Sequence, residues 1–351
     1  MSRPQEPYRQ FFPFGNPFRM ISPKGSKLSN RLMTLLNKFE ETLSERLRRL
    51  IPKNKDDILS FSWMKLAMES LCDSHNDIKT LITDLELPVS DWDEKWIDFY
   101  LDNSVKLLDV CVAFSSELSR LNQGKLLLQC LLHNLESNGH FTKAHSSLAS
   151  WRHHIGQKNP RVENCFPILE SLVETLDLPK VKNSAKGKVL MRAMYGVKVA
   201  TIFVFRVSAV AFTGSGKKLS DLSVPETLPW AHAFSVLQST VYEEMKNKFS
   251  SGRATVLREV DEVNVSVKKL DPVIQDTADP IEAETFKSLV TDLGSKGEEL
   301  SHALDLLGKD VDGFFKIVLT SRDTLLCNLR TYSNVAHTMP KKIMREGQVG
   351  R

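Results

Sequence analysis

The residues from Val189 to Phe212 form the most apolar stretch of the chain and place the strongest constraint on its fold. The stretch reads VLMRAMYGVKVATIFVFRVSAVAF. A membrane span needs about 20 mostly apolar residues, but Lys198 and Arg206 interrupt this run. A central arginine costs about 2.5–3.5 kcal/mol on insertion scales, and each flanking Leu or Val recovers only tenths. We therefore favour the central helix of a bundle, with membrane insertion or peripheral attachment as the alternative.

The overall composition is that of a soluble protein with a substantial core, because 41% of the residues are hydrophobic and 26% are charged. The net charge of +4, from 47 basic and 43 acidic residues, argues against nucleic-acid binding by bulk charge. Five scattered cysteines without a CxxC pair indicate reduced core thiols in a reducing compartment. No N-terminal apolar run resembles a secretory signal.

The chain is predicted to consist of one domain between two tails. Residues 1–27 are basic and rich in Pro and Phe, which is typical of a tail that docks on a partner or of a disordered leader. A plastid transit peptide is a third interpretation, which the low acid content favours and the Phe and Pro density disfavours. Residues 28–335 are predicted to form a single all-α helical bundle domain, and residues 336–351 a basic flexible tail.

Apolar residues recur every three or four positions through residues 28–136, which predicts three long helices. Asp56 or Asp57 is expected to cap the second helix, and Ser90 the third, which has a candidate break near Gly124. Three such helices favour an elongated bundle in which long helices run antiparallel.

The rest of the chain is also predicted to be helical, and no long strand-type alternation occurs in it. The fold class is therefore all-α. Two helices are predicted before the apolar stretch, a short one ending near Ile155 and one from Ile168 to Leu176. Four are predicted after it, at about 230–249, 252–270, 281–307 and 309–332.

No motif predicts a catalytic, cofactor-binding or metal site. The turn at Gly214 to Lys218 departs from the phosphate-loop pattern GxxxxGK[ST] at both ends. Acidic pairs lie at predicted helix starts, where capping explains them. Tryptophans at helical spacing are expected to be core residues, histidines between 133 and 154 to be solvated, and Cys111 and Cys130 to be inert in apolar surroundings. The tryptophans are Trp63, Trp92 and Trp96, and the histidines are His133, His140, His145, His153 and His154.

Several longer segments together resemble the plant BYPASS family along almost the whole chain, and its ROH-type relatives are more distant. The segments are FFPFGNPFRM from Phe11, SPKGS from Ser22, SWMKLAMESL from Ser62, LITDLELPVSDW from Leu81, LPKVKNSAKGKVLMRA from Leu178 and SRDTLL from Ser321.

The resemblance implies a biological role and no chemistry. BYPASS proteins are plant developmental regulators, thought to restrain production of a root-derived mobile signal, associated with carotenoid-derived metabolism, that otherwise arrests shoot growth. The resemblance carries no catalytic residues and no cofactor. We therefore expect a non-catalytic regulator that acts by binding protein partners. A peripheral membrane adaptor in contact with the exocyst and secretory machinery is the alternative, and an unrecognised enzyme of the signal pathway is a third hypothesis.

The predicted contacts with a membrane or a partner lie in the apolar stretch and in the lysine-rich segment before it. Lysines there would suit an anionic membrane surface, although a solvated linker explains them as well. We expect a cytoplasmic or endomembrane-associated protein, with a plastid location as the alternative. The predicted contact residues are Lys180, Lys182, Lys186, Lys188, Phe203 and Arg206.

Overall fold

The structure, a computed structural model, describes residues 28–54, 57–87, 92, 94–136, 141–177, 184–214, 219–250, 257–274 and 283–338. The predicted tail at residues 1–27 lies outside this part of the chain, as does the tail at 336–351 beyond Thr338. The division into one domain and two tails stays a prediction.

Helices account for the regular structure of the described residues, which contain no strand, so the all-α prediction is confirmed. The helices are α1 Asn30–Leu50, α2 Phe61–Asp84, α3 Glu94–Glu136, α4 Phe141–Gly156, α5 Pro160–Glu163, α6 Cys165–Glu174, α7 Ala185–Thr213, α8 Ala231–Ser250, α9 Arg258–Ile274 and α10 Ala283–Thr338.

The start of α2 differs from the predicted cap. Ser60 is the N-cap, and its Oγ accepts a hydrogen bond from the backbone N–H of Trp63 at 3.1 Å. Asp57 does not cap the helix. Leu59, with φ at 65°, turns the chain between Asp57 and the first residue of α2. Asp56 lies outside the described residues, as does Ser90, the predicted cap of α3.

The predicted break near Gly124 is absent, because α3 continues from Glu94 to Glu136. A methyl group on Gly124 would lie 2.9 Å from the indole ring of Trp151 on α4. The glycine therefore marks a close approach of two helices, at which any larger residue would separate α3 from α4.

The C-terminal helices predicted at 281–307 and 309–332 are a single helix, α10. Gly308 does not break it, because Leu304, Leu307, Val311 and Phe314 around it are all buried. The apolar face that packs on the bundle continues through the glycine, and burial of that face outweighs the low helix propensity of one residue.

The bundle is elongated, and its long helices run antiparallel. At 1.5 Å per residue, the 43 residues of α3 extend about 65 Å and the 56 residues of α10 about 84 Å. Arg322, late in α10, donates to the carbonyl oxygen of Leu101, early in α3, at 2.6 Å. Lys125, late in α3, donates to Ser301, early in α10, also at 2.6 Å. The two contacts give α3 and α10 opposite directions.

Helix α7 lies at the centre of the core and contacts α1, α2 and α6. Ser184 caps its start by accepting from the N–H of Gly187 at 2.9 Å, and Gly214, with φ at 64°, ends it. It is the one described helix that is long and apolar enough to cross a membrane, but 89% of its most apolar window is buried inside the protein. The preference for a core helix over an inserted span is confirmed. Trp63, Trp92 and Trp96 are buried as well, as expected for core residues.

Candidate functional site

The lysine-rich segment meets the start of α7. Lys180 and Lys182 lie outside the described residues. Lys186 is half-buried, and its Nζ donates to the backbone oxygen of Glu86 at the end of α2 at 3.2 Å. Lys188 is also half-buried. The structure therefore places these two lysines where α7 begins, and one of them links α7 to α2.

Phe203 and Arg206 lie inside the bundle, where neither side chain reaches the surface. The ring of Phe203 packs edge-on against that of Phe234, with 5.5 Å between centroids. Arg206 donates to Ser220 Oγ at 2.7 Å and forms an ion pair with Glu170 at 3.1 Å. The prediction that these two residues contact a membrane or a partner is therefore corrected: α7 is surrounded by other helices, and its apolar side chains face them.

A partly open cavity of about 80 Å³ lies between α2, α3, α6, α7 and α10. It borders the middle part of α7, the apolar helix. Its wall is mostly hydrocarbon, and a few polar groups converge on it. An apolar pocket on which a few polar groups converge is the first candidate for a binding site. The apolar lining includes Ile78, Phe99, Leu107, Leu172, Met194 and Val318, and the polar lining includes His75, Asn103, Ser104, Lys198 and Thr201.

Lys198 is the charged side chain of α7 that lines this cavity. Its Nζ donates to the backbone oxygen of Thr175 at 2.5 Å and to Thr175 Oγ1 at 3.1 Å. It also lies 4.3 Å from the centre of the Phe99 ring. Burial lowers the pKa of Lys198 to about 7, and the positive charge of Lys106 adds to this effect, while Asp102 opposes it. The amine of Lys198 therefore loses its proton more readily than that of an ordinary lysine.

His75 of α2 contacts α7 directly at the wall of the cavity. Its Nε2 lies 3.2 Å from Thr201 Oγ1, and that hydroxyl donates its proton to the backbone oxygen of Val197 at 2.8 Å. Nε2 is therefore assigned as the protonated nitrogen, which donates to Thr201. Burial lowers the pKa of His75 to about 4, so the ring is neutral at physiological pH.

Asn103 of α3 lines the cavity and has a buried side-chain oxygen. Its Oδ1 has no partner among the residues that the structure describes. Asn103 lies one helical turn beyond Phe99, on the same face of α3, so its amide is close to the ring over which Lys198 lies. The amide of Asn103 and the amine of Lys198 thus lie near one aromatic ring, while Oδ1 itself is shielded from the open volume.

The cysteines are free, and they differ in exposure. Cys111 and Cys165 are buried, and burial raises the pKa of both thiols, that of Cys165 to about 12. Cys72 is half-buried, and burial raises its pKa to about 11. Cys130 and Cys327 are exposed. The prediction that burial makes the thiol inert therefore holds for Cys111. The prediction of apolar surroundings for Cys130 is wrong, because Cys130 lies on the solvent face of α3.

The histidines of the 133–154 region do not come together with other ligands. His133, His145 and His153 are exposed, as expected, but His154 is half-buried, and its Nε2 lies 2.7 Å from the backbone oxygen of Arg120. His140 lies outside the described residues. Among the described residues, no three His, Cys, Asp or Glu side chains are grouped closely enough to hold a metal ion.

Sequence reasoning missed the cavity. It treated Lys198 only as an interruption of the apolar run, and it singled out neither His75 nor Asn103. One signal was present: a lysine and a threonine three residues apart on the same face of the most apolar helix. The partners come from distant segments and carried no signal of their own.

Comparisons with known proteins place the chain in a family. A model of the ROH1-like family matches residues 21–157 and 167–329. Protein BPS1, chloroplastic, of Arabidopsis thaliana is 59% identical over 97% of both chains. UPF0496 protein 4 of Oryza sativa subsp. indica is 47% identical over 77% of this chain and 60% of its own length. Protein ROH1D of Arabidopsis thaliana is only 18% identical over 86% of this chain and 89% of its own.

No solved structure matches the chain. The sequence resemblance is confirmed, including its finer part, because identity to the BPS1 protein is far higher than identity to ROH1D. The chain belongs to the ROH1-like family, and within that family it groups with the BYPASS-type developmental proteins.

Proposed function

We propose that this protein is a non-catalytic regulator of root and shoot development, which prevents excess production of a root-derived, carotenoid-related mobile signal that arrests shoot growth. The observation that carries the proposal is the 59% identity to the BPS1 protein over 97% of both chains. Identity of that extent spans the core, the cavity and the lysine-rich segment together, so the two proteins are expected to share one mode of action.

Action by binding, without catalysis, is supported by how the polar groups of the cavity are held. The amine of Lys198 donates to Thr175, and the ring of His75 contacts Thr201. The Thr201 hydroxyl is in turn committed to the backbone of α7. Because Nε2 of His75 carries a proton and the Thr201 hydroxyl donates to Val197, the two residues do not form a nucleophile with its general base.

Complementation tests the proposal directly. Arabidopsis plants that lack the BPS1 protein would receive this chain under a root-active promoter. We expect shoot growth to recover. ROH1D, expressed to the same level from the same promoter, is the matched control and should not restore growth. Arrested shoots in plants whose roots accumulate this chain would contradict the proposal.

The proposed compartment is the plastid, which the name of the BPS1 relative supports. A cytoplasmic or endomembrane location is the second proposal. The proposed partners are proteins, with exocyst subunits among the first candidates. Proximity labelling with the tagged chain in roots reports compartment and partners together. Enrichment of stromal or envelope proteins would support the plastid, and enrichment of exocyst subunits would support the secretory alternative.

The second candidate function is a peripheral membrane adaptor. It is favoured by four lysines within nine residues, Lys180 to Lys188, of which Lys186 and Lys188 are half-exposed at the start of α7. Because α7 itself is buried, such an adaptor would bind the surface through charge. Membranes carrying the tagged protein should then release it in high salt. Retention in salt with release only by detergent would argue against this adaptor.

A further inference from the structure

The cavity between α2, α3, α6, α7 and α10 has room for several water molecules but offers them few hydrogen-bonding partners. Its volume of about 80 Å³ corresponds to roughly five to eight water-sized spheres, taking roughly 10–15 Å³ for each. A water molecule inside a protein needs about two to four polar partners. The polar side chains of the wall therefore decide whether this volume suits water or an apolar ligand.

The polar side chains that α2 and α7 bring to the wall are bonded within the protein. Lys198 Nζ donates to the backbone oxygen of Thr175 at 2.5 Å and to its Oγ1 at 3.1 Å. His75 donates to the Thr201 hydroxyl at 3.2 Å, and that hydroxyl donates to the backbone oxygen of Val197 at 2.8 Å. These donors are used inside the fold, so they leave little for a ligand to bind.

The polar side chains of α3 are held in the same way. Ser104 accepts from Arg322 at 2.9 Å and donates to a backbone oxygen of its own helix at 2.7 Å. Tyr100 forms a hydrogen bond with the side chain of Ser321. The side-chain oxygen of Asn103 is shielded from the open volume. This part of the wall thus also lacks a group that would select a polar ligand.

Hydrocarbon makes up most of the remaining wall. The Phe99 ring is part of it, and it also covers part of the amine of Lys198, whose Nζ lies 4.3 Å from the ring centre. Water is poorly held in such a volume, so an apolar body that displaces it gains affinity. A polar group would lose its hydration there without replacement. The aliphatic part of the wall includes Ile78, Leu107, Leu172, Met194 and Val318.

We propose that this cavity binds the hydrocarbon ring of a small molecule, which it holds by apolar contact without a hydrogen bond from the wall. A ring of about six carbon atoms falls within the size that the volume allows. The site goes beyond the developmental role proposed above and does not depend on it. A failed complementation would leave the binding measurable on purified protein, and absence of binding would leave the developmental role intact.

Methyl-labelled methionine offers a direct measurement on the full chain. Toluene and phenol have the same number of non-hydrogen atoms and differ in one methyl or hydroxyl group. In spectra of protein carrying ¹³C-methyl methionine, toluene should shift the Met194 signal saturably. Phenol should bind at least about threefold more weakly, because its hydroxyl group buries less apolar surface and finds no partner in the wall. The signals of Met64 and Met245, which are buried but do not line the cavity, are internal controls and should stay in place.

Two variants that fill the cavity locate the ring. Val318→Phe on α10 and Leu107→Phe on α3 each add an aromatic side chain to the wall, so each should weaken toluene binding at least about tenfold. Leu319→Phe is the matched control, because Leu319 is exposed on α10 and does not line the cavity, and it should leave toluene binding unchanged. If one filling variant fails to fold, the other variant and the comparison of the two probes on the unaltered protein still decide.

Three results would overturn the proposal. The first is an unchanged Met194 signal at saturating toluene. The second is phenol binding as tightly as toluene or more tightly, which would show that the wall supplies a hydrogen bond. The third is unchanged toluene binding in a folded filling variant, which would place the ring elsewhere in the protein.

Discussion

Glu40 of α1 and Arg192 of α7 form a bidentate ion pair inside the bundle. Arg192 Nε donates to Oε1 at 2.6 Å, and Nη2 donates to Oε2 at 2.9 Å. The exposed fraction is 1% for the Glu40 side chain and 18% for that of Arg192. Burial raises the pKa of Glu40, and the hydrogen bonds from Arg192 oppose the rise. The pair fixes the position of α1 on the central helix.

Loss of one partner of this pair should therefore be costly. We expect Arg192→Ala to lower the free energy of unfolding by about 3–5 kcal/mol, because Glu40 is left buried without its counter-charge. The double variant Glu40→Leu with Arg192→Met should recover most of the loss. Arg31→Ala, which breaks the exposed pair with Glu86, is the control and should cost less than about 1 kcal/mol. Denaturant titration measures all of these, and equal losses for Arg192→Ala and Arg31→Ala would contradict the prediction.

Two glycine substitutions should have opposite effects on stability. A methyl group at Gly196 in α7 would lie 2.6 Å from Leu43 Cδ2 and 3.3 Å from the Trp230 ring, so Gly196→Ala should destabilise by about 1–3 kcal/mol. A methyl group at Gly308 in α10 meets nothing within 4 Å, so Gly308→Ala should stabilise by about 0.5–1 kcal/mol. Thermal unfolding distinguishes the two, and a stabilising Gly196→Ala would refute the close approach of α1 and α7.

The neutral ring of His75 predicts a loss of stability in acid. Burial lowers its pKa to about 4, below the value of 6.5 for an ordinary histidine. The unfolded chain therefore binds the proton first, and the stability that the neutral ring contributes is lost as the pH falls from about 7 to about 4.

His75→Gln should remove this part of the pH dependence. The free energy of unfolding of the unaltered protein should fall by about 2–3 kcal/mol more than that of the variant over this range. His302→Gln, at an exposed position of α10, is the matched control and should leave the profile unchanged. Parallel profiles for His75→Gln and the unaltered protein would show that the ring is not held neutral by burial.

Thiol reactivity should follow exposure. In the native protein, a disulfide reagent such as Ellman's reagent should modify Cys130 and Cys327 rapidly. Cys72, Cys111 and Cys165 should react slowly until the chain is unfolded, because burial raises the pKa of each thiol. Mass spectrometry of the modified peptides identifies the sites. Rapid modification of Cys111 would show that α3 is not packed as described.

The fold was predictable wherever the signal was local. The apolar repeat lies in neighbouring residues, and it predicts the three long helices of residues 28–136, which are α1, α2 and α3. The continuity of α10 through Gly308 could not be predicted from local sequence. A glycine weakens a helix locally, whereas the buried residues on either side of Gly308 stabilise α10 through contacts with α2 and α3.

The candidate site was out of reach for the same reason. His75, Asn103 and Lys198 come from three helices that are distant in sequence, and only packing brings them around one volume. Burial of the apolar stretch was predicted correctly, but Phe203 was still expected to contact a membrane or a partner. Because α7 is enclosed on all sides, the side chain of Phe203 belongs to the core.

The way α10 packs back along α2 and α3 has a consequence for biosynthesis. The ribosome releases α10 after every other described helix, so the faces of α2 and α3 that α10 covers remain open while the chain is still being made. Arg322 meets Leu101 only across 221 positions of sequence, and such contacts form late. Nascent chains halted before α10 emerges should therefore bind chaperones of the hydrophobic-surface type, and chains halted after it should not.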